Sequence, residues 1–198
     1  MQLVLASASP RRAALLKQVG LPFQVQASTV DEDKWPRKES LELLALAKAR
    51  AVADTLMRGI VLGADTIVIC HEQSLGKPAG EAEAKKMLKL LSGEVHEVIT
   101  GVALIRVNDG LSVTCREKTE VKFRNLGDEE INHYVSTGEP FDKAGAYGIQ
   151  GKGALLVQKI HGCYSNVVGL PLVKVFHLLQ ELGYSPWLEV VKEAGIDR

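Results

Sequence analysis

The sequence predicts an α/β protein with a mixed β-sheet, on three observations. Helical and strand-like stretches alternate along most of the 198 residues, the pattern of helices layered on a sheet. Two long β-rich runs, Val95 to Val107 and Leu111 to Arg124, flank Asn108-Asp109-Gly110, a strong hairpin signal. The chain also opens on a short apolar run, Leu3 to Ala6, that feeds hydroxyls and backbone N–H groups straight into a helix start.

Taken in order, each element has a local cause. Ser9 and Pro10 suit the N-cap and first position of the opening helix. Leu15, Leu16 and Val19 form its apolar face, and Gly20 ends it. Phe23 to Ala27 reads as a short strand, followed by a polar loop from Thr29 to Pro36. Ser40 caps a helix over 41–58 whose apolar positions are Leu41, Leu44, Ala45, Val52 and Leu56, with Gly59 at its end. Ile60 to Cys70 is an apolar strand, followed by a turn through His71-Glu72-Gln73 and the tripeptide Gly76-Lys77-Pro78. Glu81 to Leu91 is helical and closes at Ser92-Gly93. After the hairpin, Asp128 to Val135 is a short helix ending at Gly138. The stretch from Glu139 to Gly153 is glycine-rich with few local signals. Ala154 to Ile160 returns to strand, and Leu170 to Leu182 is an amphipathic helix between Pro171 and Gly183. The tail from Trp187 to Arg198 reads as partly helical and peripheral.

Composition narrows the classes. A hydrophobic content of 46% and a mean hydropathy of +0.03 describe a soluble globular chain, either one domain or two small lobes sharing a sheet. The 24 basic and 24 acidic residues balance, so no basic field argues for a nucleic-acid polymer. The N-terminus lacks the positive n-region of a signal peptide. The longest apolar run, Ile60 to Cys70, is too short for a membrane span and contains Asp65. Cys70, Cys115 and Cys163 are scattered and odd in number, which reads as buried thiols in a reducing cytosol. The five histidines lack metal-site spacing and are assigned structural or surface roles.

Several residues carry possible chemistry. Arg11 and Arg12 stand in a first helical turn, where a cation opposes the helix dipole by a few tenths to about 1 kcal/mol. Either they are solvated on a surface turn or an anion joins them, and a helix start supplied with Ser7, Ser9 and free N–H groups is a ready phosphate site. Asp65 interrupts an otherwise buried strand, where an unpaired carboxylate costs several kcal/mol or loses its charge. A metal, a cation or a water whose proton it takes must hold it there, unless it caps a turn at the strand's exposed end. Gly63 and Ala64 beside it are small enough to let a ligand approach the backbone. Lys48 lies within its helix's apolar stripe, either partnered or snorkelling to the surface. Lys77 is on a rigid turn just past the Asp65 strand, as a ligand contact or a plain loop lysine. Asp31, Glu32 and Asp33 are solvated acids or carboxylates for a hard cation such as Mg²⁺. The glycine-rich run could wrap a ligand with its backbone, although neither GxxxxGK[ST] nor GxGxxG occurs in the chain. Together the inventory suits phosphate-ester chemistry with a metal and an activated water.

Six blocks resemble one family. Leu5-Ala-Ser-Ala-Ser-Pro-Arg-Arg12, Gly63-Ala-Asp-Thr66, Gly76-Lys-Pro78, Ser136-Thr-Gly-Glu-Pro140, Asp142-Lys-Ala-Gly-Ala-Tyr-Gly-Ile-Gln-Gly151 and Val168-Gly-Leu-Pro171 occur in the order seen in the Maf family of nucleoside triphosphate pyrophosphatases. The resemblance implies a single Maf-like domain over 1–198. Its implied fold is an elongated mixed β-sheet with flanking helices and two lobes around a central cleft, similar to inosine triphosphate pyrophosphatases. The implied reaction cleaves a nucleoside triphosphate between its α and β phosphates, with Mg²⁺ or Mn²⁺. The family's general base falls on Asp65, its phosphate-binding positions on Ser7, Arg12, Lys48 and Lys77, and its metal position on Glu32. Arg11, Thr66 and Gln150 are similar to the subgroup acting on dTTP and UTP. The 7-methyl-GTP subgroup has a bulky aromatic, a glutamine and a glutamate there. A glutamine amide donates and accepts at once, which suits the O4/N3–H edge of uracil or thymine. One departure is Leu46-Ala47-Lys48, where the family often has Arg-x-Lys. Family members are often dimeric, so a homodimer is the expected assembly, and the composition points to a cytoplasmic protein acting on a nucleotide rather than on a nucleic-acid polymer or a membrane. Two rival readings are the same chemistry on 7-methyl-GTP or ITP, and a division or repair regulator that uses the nucleotide site as a sensor.

Overall fold

Two glycines on neighbouring strands decide where the long helix of the chain lies. A Cβ on Gly63 would collide with the Ala45 carbonyl oxygen, and one on Gly101 would lie 2.5 Å from the Leu41 carbonyl carbon. The helix backbone therefore rests directly on the sheet. The Gly63 expectation is corrected accordingly, because a helix rather than a ligand makes the close approach.

The computed structural model describes residues 1–32, 35, 40–193 and 195. Its strands are β1 (Leu3–Leu5), β2 (Gln24–Val25), β3 (Ile60–Cys70), β4 (Gln73–Leu75), β5 (Val95–Arg106), β6 (Ser112–Phe123) and β7 (Val157–His161). Its helices are α1 (Pro10–Gln18), α2 (Leu41–Ala53), α3 (Glu81–Leu91), α4 (Asp128–Ser136), α5 (Tyr164–Val168), α6 (Leu172–Glu181) and α7 (Pro186–Glu193). The strands form one sheet in the order β2-β1-β3-β5-β6-β7, with β4 also beside β3. β1 pairs parallel with β2 and β3, whereas β3–β4 and β6–β7 are antiparallel. The predicted mixed sheet with flanking helices is present.

The chain divides into two compact units. One comprises Met1–Asp65, Thr100–Glu117 and Gly169–Arg198, the other Thr66–Ile99 and Lys118–Val168. In the first, Val4, Ala6, Ala49, Val52, Val61 and Ile105 share an apolar cluster. Leu15 and Leu16 of α1 are 1% and 0% exposed, and burying each contributes about 1.5–3 kcal/mol. Val19, expected on the same face, is exposed. α2 stops at Ala53 rather than near residue 58, because the backbone tightens there: the Thr55 N–H donates to the Val52 carbonyl and the Leu56 N–H to the Ala53 carbonyl at 3.0 Å each, and the Thr55 hydroxyl joins the Val52 carbonyl at 2.7 Å.

In the second unit Val68, Leu88, Leu91, Val121, Phe123 and Tyr147 pack in one cluster. β4 was not expected. It turns back from β3 through His71 and Glu72, both at positive φ of 47° and 64°, the backbone of a two-residue hairpin loop. The strand expected from Ala154 begins only at Val157, after a 3₁₀ turn over Lys152–Leu156. Cys70 is buried as expected, whereas Cys115 and Cys163 are half-buried. Burial raises the Cys70 and Cys115 thiols, the latter to about 11, which leaves both as inert thiols near neutral pH. No helix among the described residues is long and apolar enough to cross a membrane.

His96 is the structural histidine of this core. Its ring meets Phe123 and Tyr147 edge-on, with centroids 5.0 and 5.4 Å away. Its Nε2 shares a hydrogen bond of 2.8 Å with the Tyr147 hydroxyl, and its Nδ1 has no partner among the described residues. Burial pushes His96 from 6.5 down to about 4. The folded state therefore refuses a proton that the unfolded chain accepts. Stability is full above pH 6.5 and is lost as the pH falls toward 4, by up to about 3 kcal/mol. Urea unfolding at pH 7.5 and pH 5 checks this, with wild type losing markedly more stability on acidification than His96→Gln. Equal losses would overturn it.

Candidate active site

Asp65 and Lys48 meet because α2 can lie against β3. Asp65 is 7% exposed and Lys48 is 4% exposed. The Lys48 ammonium donates to Asp65 Oδ1 at 2.6 Å and lies 2.7 Å from Glu32 Oε1. Of the readings open for Lys48, the structure selects the buried, partnered one. Asp65 is likewise an ion-paired carboxylate within the strand rather than a turn cap. The attraction offsets the several kcal/mol that burying either charge alone would cost. The Glu32 side chain is 39% exposed, so part of it faces solvent.

Arg12 joins the same cluster from α1. It is 9% exposed, donating from Nε to the Gly169 carbonyl at 2.8 Å and from Nη1 to Ser7 Oγ at 3.0 Å. Burial pulls its guanidinium below the ordinary value. The charges of Asp65 and Glu32 oppose that shift, and Arg11 adds to it. Ser9 stands at the N-cap as expected, but its side chain makes no capping bond. Ser7 takes the working role instead, accepting from the Ser9 N–H at 3.2 Å as well as from Arg12. Ser40 likewise holds the α2 N-cap position without a side-chain capping bond.

Ser7, Arg12, Glu32, Lys48 and Asp65 are thus brought together within the first unit. Arg11, half-buried beside Arg12, belongs to the same unit, and Asp33 lies outside the described residues. Thr66, Lys77 and Gln150 belong to the second unit. Thr66 is half-buried, and Lys77 and Gln150 are exposed. Within that unit the Gly145 N–H donates to the Gly76 carbonyl at 3.0 Å, which ties the glycine-rich run to the Lys77 turn. Sequence reasoning missed Gly169 as the acceptor for Arg12. The only available signal was the block Val168-Gly-Leu-Pro171, which has no chemical side chain.

The donor set has a clear chemical character. Two carboxylates converge on one point of positive charge, with a buried guanidinium and a hydroxyl beside them. Hard oxygen donors of this kind suit Mg²⁺ or Mn²⁺ completed by phosphate oxygens. No group of three or more histidine, cysteine or carboxylate side chains gathers as a metal site among the described residues.

A family model described as Maf-like protein matches residues 2–182. A dTTP/UTP pyrophosphatase of Moorella thermoacetica is 54% identical over 94% of this chain and 97% of its own length. The dTTP/UTP pyrophosphatase of Symbiobacterium thermophilum is 53% identical over 92% and 95%. Among solved structures, the Staphylococcus aureus Ham1 protein matches with a TM-score of 0.47 and 15% identity, over 62% of this chain and 72% of that one.

Proposed function

The chain belongs to the family of Maf-like proteins, and from that membership we propose that it hydrolyses dTTP and UTP between the α and β phosphates. The products are a nucleoside monophosphate and pyrophosphate. The observation that carries the reading is identity above 50% to dTTP/UTP pyrophosphatases over nearly the whole chain. The buried Asp65–Lys48–Glu32 cluster beside Arg12 supports it with groups suited to the chemistry.

In this reading Asp65 takes a proton from the attacking water. The water oxygen bonds to the attacked phosphorus, and the bridging oxygen departs with the bonding electron pair. Lys48 and Arg12 supply positive charge where negative charge accumulates, and Ser7 donates a hydrogen bond to a phosphate oxygen. Lys77 adds a further cation for the triphosphate. Glu32 would hold Mg²⁺ or Mn²⁺, which when bound offsets charge on the phosphoryl group. Arg11, Thr66 and Gln150 select the pyrimidine base, the Gln150 amide pairing with the O4/N3–H edge. Modified pyrimidine triphosphates that keep this edge are further substrates. The protein works in the cytoplasm as a homodimer on free nucleotides, without a nucleic-acid polymer or membrane.

Chromatographic product analysis tests the proposal. With Mg²⁺ or Mn²⁺, dTTP and UTP should give TMP or UMP plus pyrophosphate, faster than CTP, GTP, ATP, ITP or 7-methyl-GTP. Diphosphates with inorganic phosphate would overturn the bond assignment. Preference for ITP or 7-methyl-GTP would overturn the roles of Arg11, Thr66 and Gln150.

A further inference from the structure

The glycine-rich run is held by a carboxylate that the reaction does not use. Glu139 Oε1 accepts the Gly153 N–H at 3.0 Å and the Tyr134 hydroxyl at 3.0 Å, and Glu139 Oε2 accepts the Lys152 N–H at 2.8 Å. The Tyr134 oxygen in turn accepts the Gly148 N–H at 3.3 Å. Lys143 Nζ donates to the Glu139 carbonyl at 2.6 Å, closing the other side. These N–H groups are therefore turned inward on Glu139 and Tyr134, so the expectation that this backbone wraps a ligand is corrected at Gly148, Lys152 and Gly153.

The glycines are required by the same contacts. A Cβ on Gly151 would lie 2.5 Å from Glu139 Oε2, and one on Gly153 would lie 2.7 Å from the Tyr134 hydroxyl. Neither position can carry a side chain while the clasp is closed. Burial pulls the Glu139 carboxyl up, but the Gly153 and Lys152 N–H groups and the Tyr134 hydroxyl outweigh it and hold it below the ordinary range. Such charge-assisted bonds are the stronger kind. On the other flank Tyr147 is locked between His96 and Phe123 in the core.

Between these anchors the chain makes a tight turn, the Gly151 N–H donating to the Gly148 carbonyl at 3.4 Å. Gln150 is at its exposed corner. The orientation of its amide matters. A glutamine amide free to flip offers its donor and acceptor in either order, and so pairs with the cytosine edge as readily as with the uracil edge. Selection needs the amide to be oriented.

We propose that Glu139, acting with Tyr134, is the positioning residue of pyrimidine selection, fixing the Gly148–Gly151 turn and with it the presentation of Gln150. The proposal rests on Gln150 being the residue that reads the base. Glu139→Gln keeps the shape and loses the charge, Tyr134→Phe keeps the buried ring and loses the hydroxyl, and Gln150→Ala removes the reader. The measurements are kcat and KM for dTTP, UTP and CTP, with amide hydrogen exchange over residues 148–153.

Glu139→Gln should raise KM for dTTP and UTP, with kcat within about threefold of wild type. It should lower the preference over CTP by about tenfold, the size of one lost charged hydrogen bond. Exchange in the turn should rise, and Tyr134→Phe should move every readout the same way by less. Adding Glu139→Gln to Gln150→Ala should cost no further selectivity. A uniform fall in kcat on all substrates would overturn the proposal, as would wild-type selectivity in Glu139→Gln while Gln150→Ala loses it. If Gln150→Ala keeps wild-type selectivity, base reading by Gln150 itself falls and takes the proposal with it. The exchange data separate these failures, since they report on the clasp whatever Gln150 does.

Discussion

Asp65→Asn is expected to lower kcat on dTTP and UTP by roughly 10²- to 10⁴-fold, the usual contribution of a positioned general base, while leaving the fold nearly intact. Asparagine keeps an oxygen where Asp65 Oδ1 accepts from Lys48 at 2.6 Å, and Lys48 keeps Glu32 at 2.7 Å. No charge is stranded, so the change in unfolding free energy stays near about 1 kcal/mol. The two readouts, turnover by product chromatography and stability by urea unfolding, must therefore separate. Activity within a few-fold of wild type would remove Asp65 from the base role. A collapse of both together would mean that the ion pair holds the fold rather than performs chemistry.

Lys48→Met should do the opposite to stability. Lys48 is 4% exposed and donates a hydrogen bond from its ammonium to Asp65. Methionine fills a similar volume but leaves the carboxylate buried in β3 without its hydrogen-bonded ammonium, with the Arg12 charge still acting on it. Breaking a buried pair from one side costs about 3–5 kcal/mol, and turnover should fall by about 10²-fold with loss of the cation. The informative variant is the double one. Lys48→Met with Asp65→Asn removes the stranded charge and should regain at least half of the lost stability, a coupling that a double-mutant cycle reads directly. Equal stability of the single and double variants would show that Asp65 is not left uncompensated.

Much of this arrangement was legible in the chain itself. Asp65 in an apolar strand and Lys48 in an apolar stripe each broke a local pattern, and a broken pattern in a buried element demands a partner. The Pro10 helix start and the Asn108-Asp109-Gly110 hairpin rest on neighbours in sequence, and both appear where expected. Less legible was α5. It is five residues long, and its place depends on Thr119 Oγ1, which accepts the Cys163 N–H and the Asn166 side-chain amide at 3.0 Å each. A bond spanning 44 positions leaves no periodic trace. The end of α2 differs for a local reason instead, since Thr55 and Leu56 turn to i→i−3 bonds before the following glycine is reached.

By itself the sequence determined the kinds of element, most of their order, and which side chains could not be buried alone. Those properties are local, set by the period of apolar residues and by proline, glycine and capping chemistry within a few positions. Tertiary structure alone decided the pairings. Lys48 reaches Asp65 because Gly63 and Gly101 clear a bed for α2. Arg12 finds its carbonyl at Gly169, 157 residues along the chain. The glycines at 151 and 153 serve a carboxylate at Glu139 rather than a phosphate. Each depends on which backbones pack within contact distance, and spacing along the chain does not encode that.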